Sequence, residues 1–241
     1  MATAKQEDSA FSGFPEAGLE FLRDLKENND REWFRERKEV YEYQVKRPME
    51  LLAAEAATRC RKGGLMVRTK EKNPVLRIYR DIRFSADKRP FNTHVGAALK
   101  SSQPSAGYGE VYIHISPAES FVAAGFWMPE RPFLQIWRES IADKPAAFLR
   151  IVKALVKKGL TLSNESSLKR LPRGFDRFAE DEISEFLKLT SYVVSRKVTA
   201  AECKSAAMVD LVRDFALAAK PLLEYGWRLN YTPQRDILEE R

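Results

Sequence analysis

The chain has 241 residues, 44% of them hydrophobic and 31% charged, with 41 Lys and Arg against 34 Asp and Glu for a net charge of +7. That is a globular composition, long enough for one large domain or two small ones with a sizeable core. It excludes a disulfide scaffold, a collagen and a multi-span membrane protein.

Residues 1–10 are polar and mixed in charge, without the apolar stretch of a secretory signal. They read as a flexible tail before a single α+β domain over 11–241. An amphipathic helix is predicted over 14–28, with Phe14, Phe21, Leu22 and Leu25 near helical spacing. Asn28-Asn29-Asp30 breaks it, and Asp30 is placed to cap a second helix over 31–46. There Trp33, Arg37, Tyr41 and Val45 recur at every fourth residue. Pro48 suits the first turn of a third helix, which Gly63-Gly64 ends.

The period then changes to two. Residues 74–84, 111–116 and 121–127 alternate as strands do, and Pro117-Ala118-Glu119 joins the last two as a hairpin. Residues 93–99 give a further, Ala-rich strand. Pro132 and Pro145 open two more helices, and Gly159 stops the second. Residues 160–178 look irregular, with a turn at Pro172-Arg173-Gly174, and mark where a smaller C-terminal part would divide from the rest. A short helix at 181–189 and a strand at 192–198 follow. Thr199-Ala200-Ala201-Glu202 then matches a capping box for a long helix that Pro221 interrupts. Helices at both ends and strands in the middle predict a central antiparallel sheet flanked by N-terminal and C-terminal helices.

Cys60 and Cys203 stand far apart, outside any Cys-x-x-Cys pair, and read as buried small hydrophobes. The most apolar short run, 121–128, is far below the roughly 20 residues of a membrane span. A cytoplasmic protein without a membrane partner is expected. Nothing in the sequence sets its oligomeric state.

Charge is unevenly placed. Residues 1–56 hold 9 basic and 13 acidic side chains, whereas 59–100 hold 12 basic and 3 acidic, net +9. Such a field attracts phosphates, carboxylates or nucleic acid, unless the acidic first third of the chain neutralises it.

The densest stretch runs from Arg77 to Phe91. If 75–84 is extended, Arg77, Tyr79, Asp81 and Arg83 share one face, and Leu76, Ile78, Arg80, Ile82 and Phe84 the other. Arg80 then lies on an apolar face and needs a buried carboxylate partner, unless the strand ends near it and the arginine reaches into a cavity. Arg77 and Arg83 flank Asp81 at roughly 6–7 Å along the strand. Either the three neutralise one another and fix the strand, or Asp81 orients two guanidinium groups toward a planar anion. Lys88, beyond a turn at Ser85-Ala86-Asp87, can fold back over the same face.

Arg77, Arg80, Asp81, Arg83, Phe84, Asp87, Lys88 and Phe91 resemble the signature of a bacterial family designated domain of unknown function 2461. Phe91 stands where that signature has tyrosine. The resemblance extends to residues 28–34, 115–117, 125–129 and 171–175, and so to most of the chain. It implies membership and brings no activity with it.

Other candidates are fewer. His114 lies on the strand face opposite Val111, Ile113 and Ile115, and with Asp81 is a weak catalytic candidate. An aspartate between arginines has a lowered pKa and is a weak base. Two isolated histidines, His94 and His114, make no metal site. No phosphate-binding glycine loop, dinucleotide fingerprint or nucleophile elbow is present, so no cofactor is expected. Arg173, in a loop beside Gly174, can close on an anion. Three readings result. The first is a small phosphate or carboxylate ligand held by Arg77, Arg80, Asp81, Arg83, Lys88 and Arg173. The second is a structural Arg/Asp network in a protein-interaction domain. The third is non-specific nucleic-acid binding through 59–100. Whether the chain is an enzyme is not legible.

Overall fold

Asp30 caps a helix start as its sequence context predicts: its carboxylate accepts from the backbone N–H groups of Glu32 and Trp33. The computed structural model in which this is seen describes residues 10–69, 74–102 and 109–229. The expected tail lies outside them but for Ala10. Helix α1 (Glu16–Glu27) buries Phe21, Leu22 and Leu25, as read from the sequence, and Leu19 with them, while Phe14 is buried just before the helix starts. The continuous helix expected over 31–46 is instead divided into α2 (Arg31–Glu36), a short α3 (Lys38–Val40) and a π-helical turn (Tyr41–Lys46). Arg37 leaves helical geometry between α2 and α3, and the π turn buries Tyr41 and Val45 together. Gly18 of α1 lies against the carbonyl of Gln44 in that turn, so close that a Cβ has no room. Helix α4 (Arg47–Lys62) carries Pro48 in its first turn and stops at Gly63.

The sheet contains β1 (Val67–Arg68), β2 (Val95–Ser101), β3 (Glu110–Ile115), β4 (Ser120–Phe126) and β5 (Tyr192–Val198). It is antiparallel throughout, in the order β1-β2-β3-β4-β5. Ser120 closes the β3–β4 hairpin, its Oγ accepting from Ser116 N–H and donating to Ser116 O. Between β4 and β5 come α5 (Arg131–Asp143), α6 (Pro145–Lys157) and α7 (Ser184–Lys188). The capping box at Thr199 is present, but α8 (Ala200–Cys203) that it opens is short. The chain turns at Ser205, whose Oγ accepts from Ala207 N–H, before α9 (Met208–Trp227). Pro221 does not interrupt α9: Leu222, Leu223, Gly226 and Trp227 beyond it are all buried, and their packing outweighs the proline's cost of about 3 kcal/mol.

Helices α4 and α9 cover one sheet face, where Leu99, Val111, Ile113, Ile115, Val122 and Val194 are buried. The fold is α+β, with helices before and after the sheet. Cys60 and Cys203 are buried and unbridged. No helix among the described residues is long and apolar enough to cross a membrane.

Candidate functional site

The alternating stretch at 74–84 is not a strand. Val75 bridges to Ala97 at the sheet edge, and the chain then leaves the sheet. Residues 78–80 and 90–92 pair with each other: Arg80 N–H donates to Pro90 O at 2.9 Å and Asn92 N–H to Ile78 O at 2.8 Å. What lies between is a loop, and two aspartates make it one. Asp81 Oδ1 accepts from the N–H of Arg83, and Asp87 Oδ1 from the N–H of Arg89, so each captures backbone that a strand would need.

Each aspartate is then gripped by the arginine two residues on. Arg83 reaches Asp81 through Nε at 3.0 Å and Nη2 at 2.7 Å; Arg89 reaches Asp87 through Nε at 3.0 Å and Nη2 at 2.7 Å. The two Asp-x-Arg units share one geometry. That repeat is visible in the sequence and is the signal that alternation hid. Arg83 pulls Asp81 down to about 2, with Arg77 adding a smaller effect. Arg89 and Arg80 hold Asp87 well below the usual carboxylate range. A carboxylate so depressed is a poor general base near neutral pH.

Arg80 does meet a carboxylate, Asp87, but not a buried one, because the chain here is a surface loop and not a core-facing strand. Arg80 Nη1 donates to Asp87 at 2.8 Å and to Arg89 O at 3.0 Å, with the two side chains 26% and 36% exposed. Lys88 does fold back, its Nζ donating to Ile82 O at 3.1 Å. Arg77 is exposed and makes no hydrogen bond or ion pair among the described residues. Phe84, assigned by alternation to the apolar face, is 97% exposed. Among the described residues no ion pair joins these loop cations to residues 1–56, although Glu27 is close enough to Arg89 to be felt; Arg59, elsewhere in the basic segment, pairs with Glu55 at 3.8 Å. Lys70 and Lys72 of the basic segment lie outside the described residues.

The loop is clamped at its base. Asn29 bonds both backbone groups of Phe91, Nδ2 donating to its carbonyl and Oδ1 accepting from its N–H, each at 3.0 Å. The Phe91 ring stacks on Phe34 at 4.2 Å and touches Tyr79 at 5.1 Å. The break before α2 and the loop, far apart in sequence, thus meet. Phe91 is a buried stacking ring.

Arg173 is elsewhere. It lines a cleft of about 400 Å³ with Glu139 and Arg177, and no loop residue lines that cleft. A larger cleft of about 820 Å³ beside α9 holds none of the expected site residues. Phe126 and Trp137 are core, whereas Trp127 is exposed.

His114 lies on the sheet face away from α4 and α9. The Tyr112 hydroxyl is 3.2 Å from its Nδ1, Phe121 stacks on it at 4.6 Å, and His94 is 4.3 Å away, centre to centre. Gly96 makes room for Tyr112, whose hydroxyl would be 2.6 Å from a Cβ there. Among the described residues no third ligand joins the two histidines in a metal-holding group. Burial, and then the neighbouring His94, push His114 down to about 4. A base with its pKa lowered on folding takes its proton more readily in the unfolded chain. Its contribution is whole above pH 6.5, the unfolded value, and is lost as pH falls toward 4. The loss reaches at most about 3 kcal/mol. Urea unfolding across this window should show a smaller pH dependence for His114→Phe than for wild type; equal slopes would refute it.

No curated protein matches the chain, and no solved structure does. The family described as conserved hypothetical protein (DUF2461) matches residues 17–225, most of the chain. The chain belongs to that DUF2461 family.

Proposed function

We propose that the loop from Arg77 to Phe91 binds a small phosphate or carboxylate group. The observation that carries this reading is the division of its charges. Arg80, Asp87 and Arg89 tie the loop together, and Asp81 takes two donors of Arg83. Among the described residues Arg77 makes no hydrogen bond or ion pair, and Arg83 and Lys88 stand exposed with it. An exposed ion pair such as Arg83–Asp81 is screened by water and contributes little, so an arriving anion competes for Arg83 at little cost. The structural and binding readings of the motif then apply to different residues of one loop.

Two or three charge-assisted bonds of about 1.5–3 kcal/mol each support a dissociation constant on the order of 1 mM for free phosphate. Titration of inorganic phosphate, followed by arginine side-chain NMR signals, should saturate for wild type. For Arg77→Ala/Arg83→Ala the affinity should fall roughly tenfold or more and depend less on salt. Equal affinity in the two proteins would reject the reading.

A further inference from the structure

Phe84 has no structural role: 97% of it is exposed, on a loop fixed at its base by Asn29 and Phe34. Its exposure is built into the loop, because Phe84 follows the turn at Asp81, beyond the pairing of 78–80 with 90–92. The surrounding charge is one-sided. Arg77, Arg83, Lys88 and Arg89 are exposed, while Asp81 and Asp87 are each gripped by an arginine and Glu27 lies on the side of Arg89. The Arg83 guanidinium lies 5.9 Å from the centre of the Phe84 ring. An apolar tip with cations behind it is suited to the boundary of a bilayer, where the ring enters the acyl region and the cations stay among the headgroups.

We infer that Phe84 inserts into the surface of an anionic bilayer while Arg77, Arg83 and Lys88 hold lipid phosphate or carboxylate groups. This rests on the anion-binding reading of the same loop and names the source of the anion. Insertion of a loop needs no membrane-spanning segment. A single-stranded nucleic acid fits less well. Stacked bases need a row of freely presented rings, and Tyr79, the next aromatic residue on the loop, is half exposed but leans on Phe91 and Phe34. Phe84 stands alone.

The test is co-sedimentation of the full chain with vesicles of phosphatidylcholine, with and without phosphatidylserine, beside Phe84→Ala and Arg77→Ala/Arg83→Ala. Phe84→Ala should melt as wild type does. Wild type should bind only the phosphatidylserine vesicles and be released by salt, and each variant should bind roughly tenfold more weakly. Cys60 and Cys203 are buried, so Phe84→Cys can carry an environment-sensitive dye, whose emission should shift to the blue on those vesicles. Three results would overturn the inference. Without vesicle binding but with saturable phosphate binding, the loop takes free anions only. Vesicle binding unaffected by Phe84→Ala would exclude insertion. Binding of a single-stranded oligonucleotide that Phe84→Ala weakens, without vesicle binding, would assign the surface to nucleic acid. If phosphate binding is absent as well, the anion reading falls with the inference.

Discussion

Phe91→Ala should lower the stability of the protein by about 3–5 kcal/mol and release the loop that carries the cations. Phe91 is 2% exposed and stacks on Phe34, which in turn contacts Phe21 and Tyr41. The ring therefore joins the loop to the aromatic cluster of the N-terminal helices, and its removal leaves a cavity at that junction. At about 2–4 °C per kcal/mol for a chain of this size, the melting temperature should fall by about 6–20 °C. Phe84→Ala, seven residues earlier in the same loop, should change stability by less than about 0.5 kcal/mol. Denaturant unfolding of the two variants side by side is the check. A loss below about 1 kcal/mol for Phe91→Ala would mean that the loop is not anchored through this ring. The same variant should weaken phosphate binding without touching a cation, because donors must be held in place to act together.

The parts of this fold legible in the sequence are those where one local rule acts alone. β3, β4 and β5 alternate, one face is buried under helices, and the pattern is unopposed. Asp30, Pro48 and Thr199 sit at helix starts because each satisfies or lacks a backbone N–H there. The failures are places where two rules compete. At 74–84, alternation favours a strand, but Asp81 takes the N–H of Arg83, as Asp87 then takes that of Arg89, and the turn wins. At Pro221, the local rule against proline yields to the burial of the turn beyond it. The cation cluster was legible as composition, and so was the need of Arg80 for a partner. That the partner is Asp87 was not, because Asp87 reaches Arg80 only once the chain has folded back. Asn29 gave no signal either: its role depends on a segment 62 residues away.

Arg138→Ala should destabilise the protein by about 2–6 kcal/mol, through two carbonyls rather than a salt bridge. Arg138 lies on α5, four residues after Leu134 and three before Ile141, on the apolar stripe of that helix. It is buried, and among the described residues it forms no ion pair. Burial lowers its pKa. Its Nε donates to Leu187 O at 2.8 Å and its Nη2 to Leu189 O at 3.0 Å. Those carbonyls lie at the C-terminal end of α7, where a helix has no donors of its own and a cation is favoured. The Tyr192 hydroxyl donates to Phe186 O at 2.8 Å beside them. The guanidinium thus fastens the segment before β5 to α5, and each carbonyl orphaned by its loss costs about 1–3 kcal/mol. Arg138→Lys keeps the charge without the fork and Arg138→Met keeps the bulk without the donors; both should fall between wild type and Arg138→Ala. Denaturant unfolding ranks the three, and amide exchange should quicken first around residues 184–192. If Arg138→Met proves as stable as wild type, desolvation of the guanidinium offsets its two bonds, and the buried charge does not hold this segment in place.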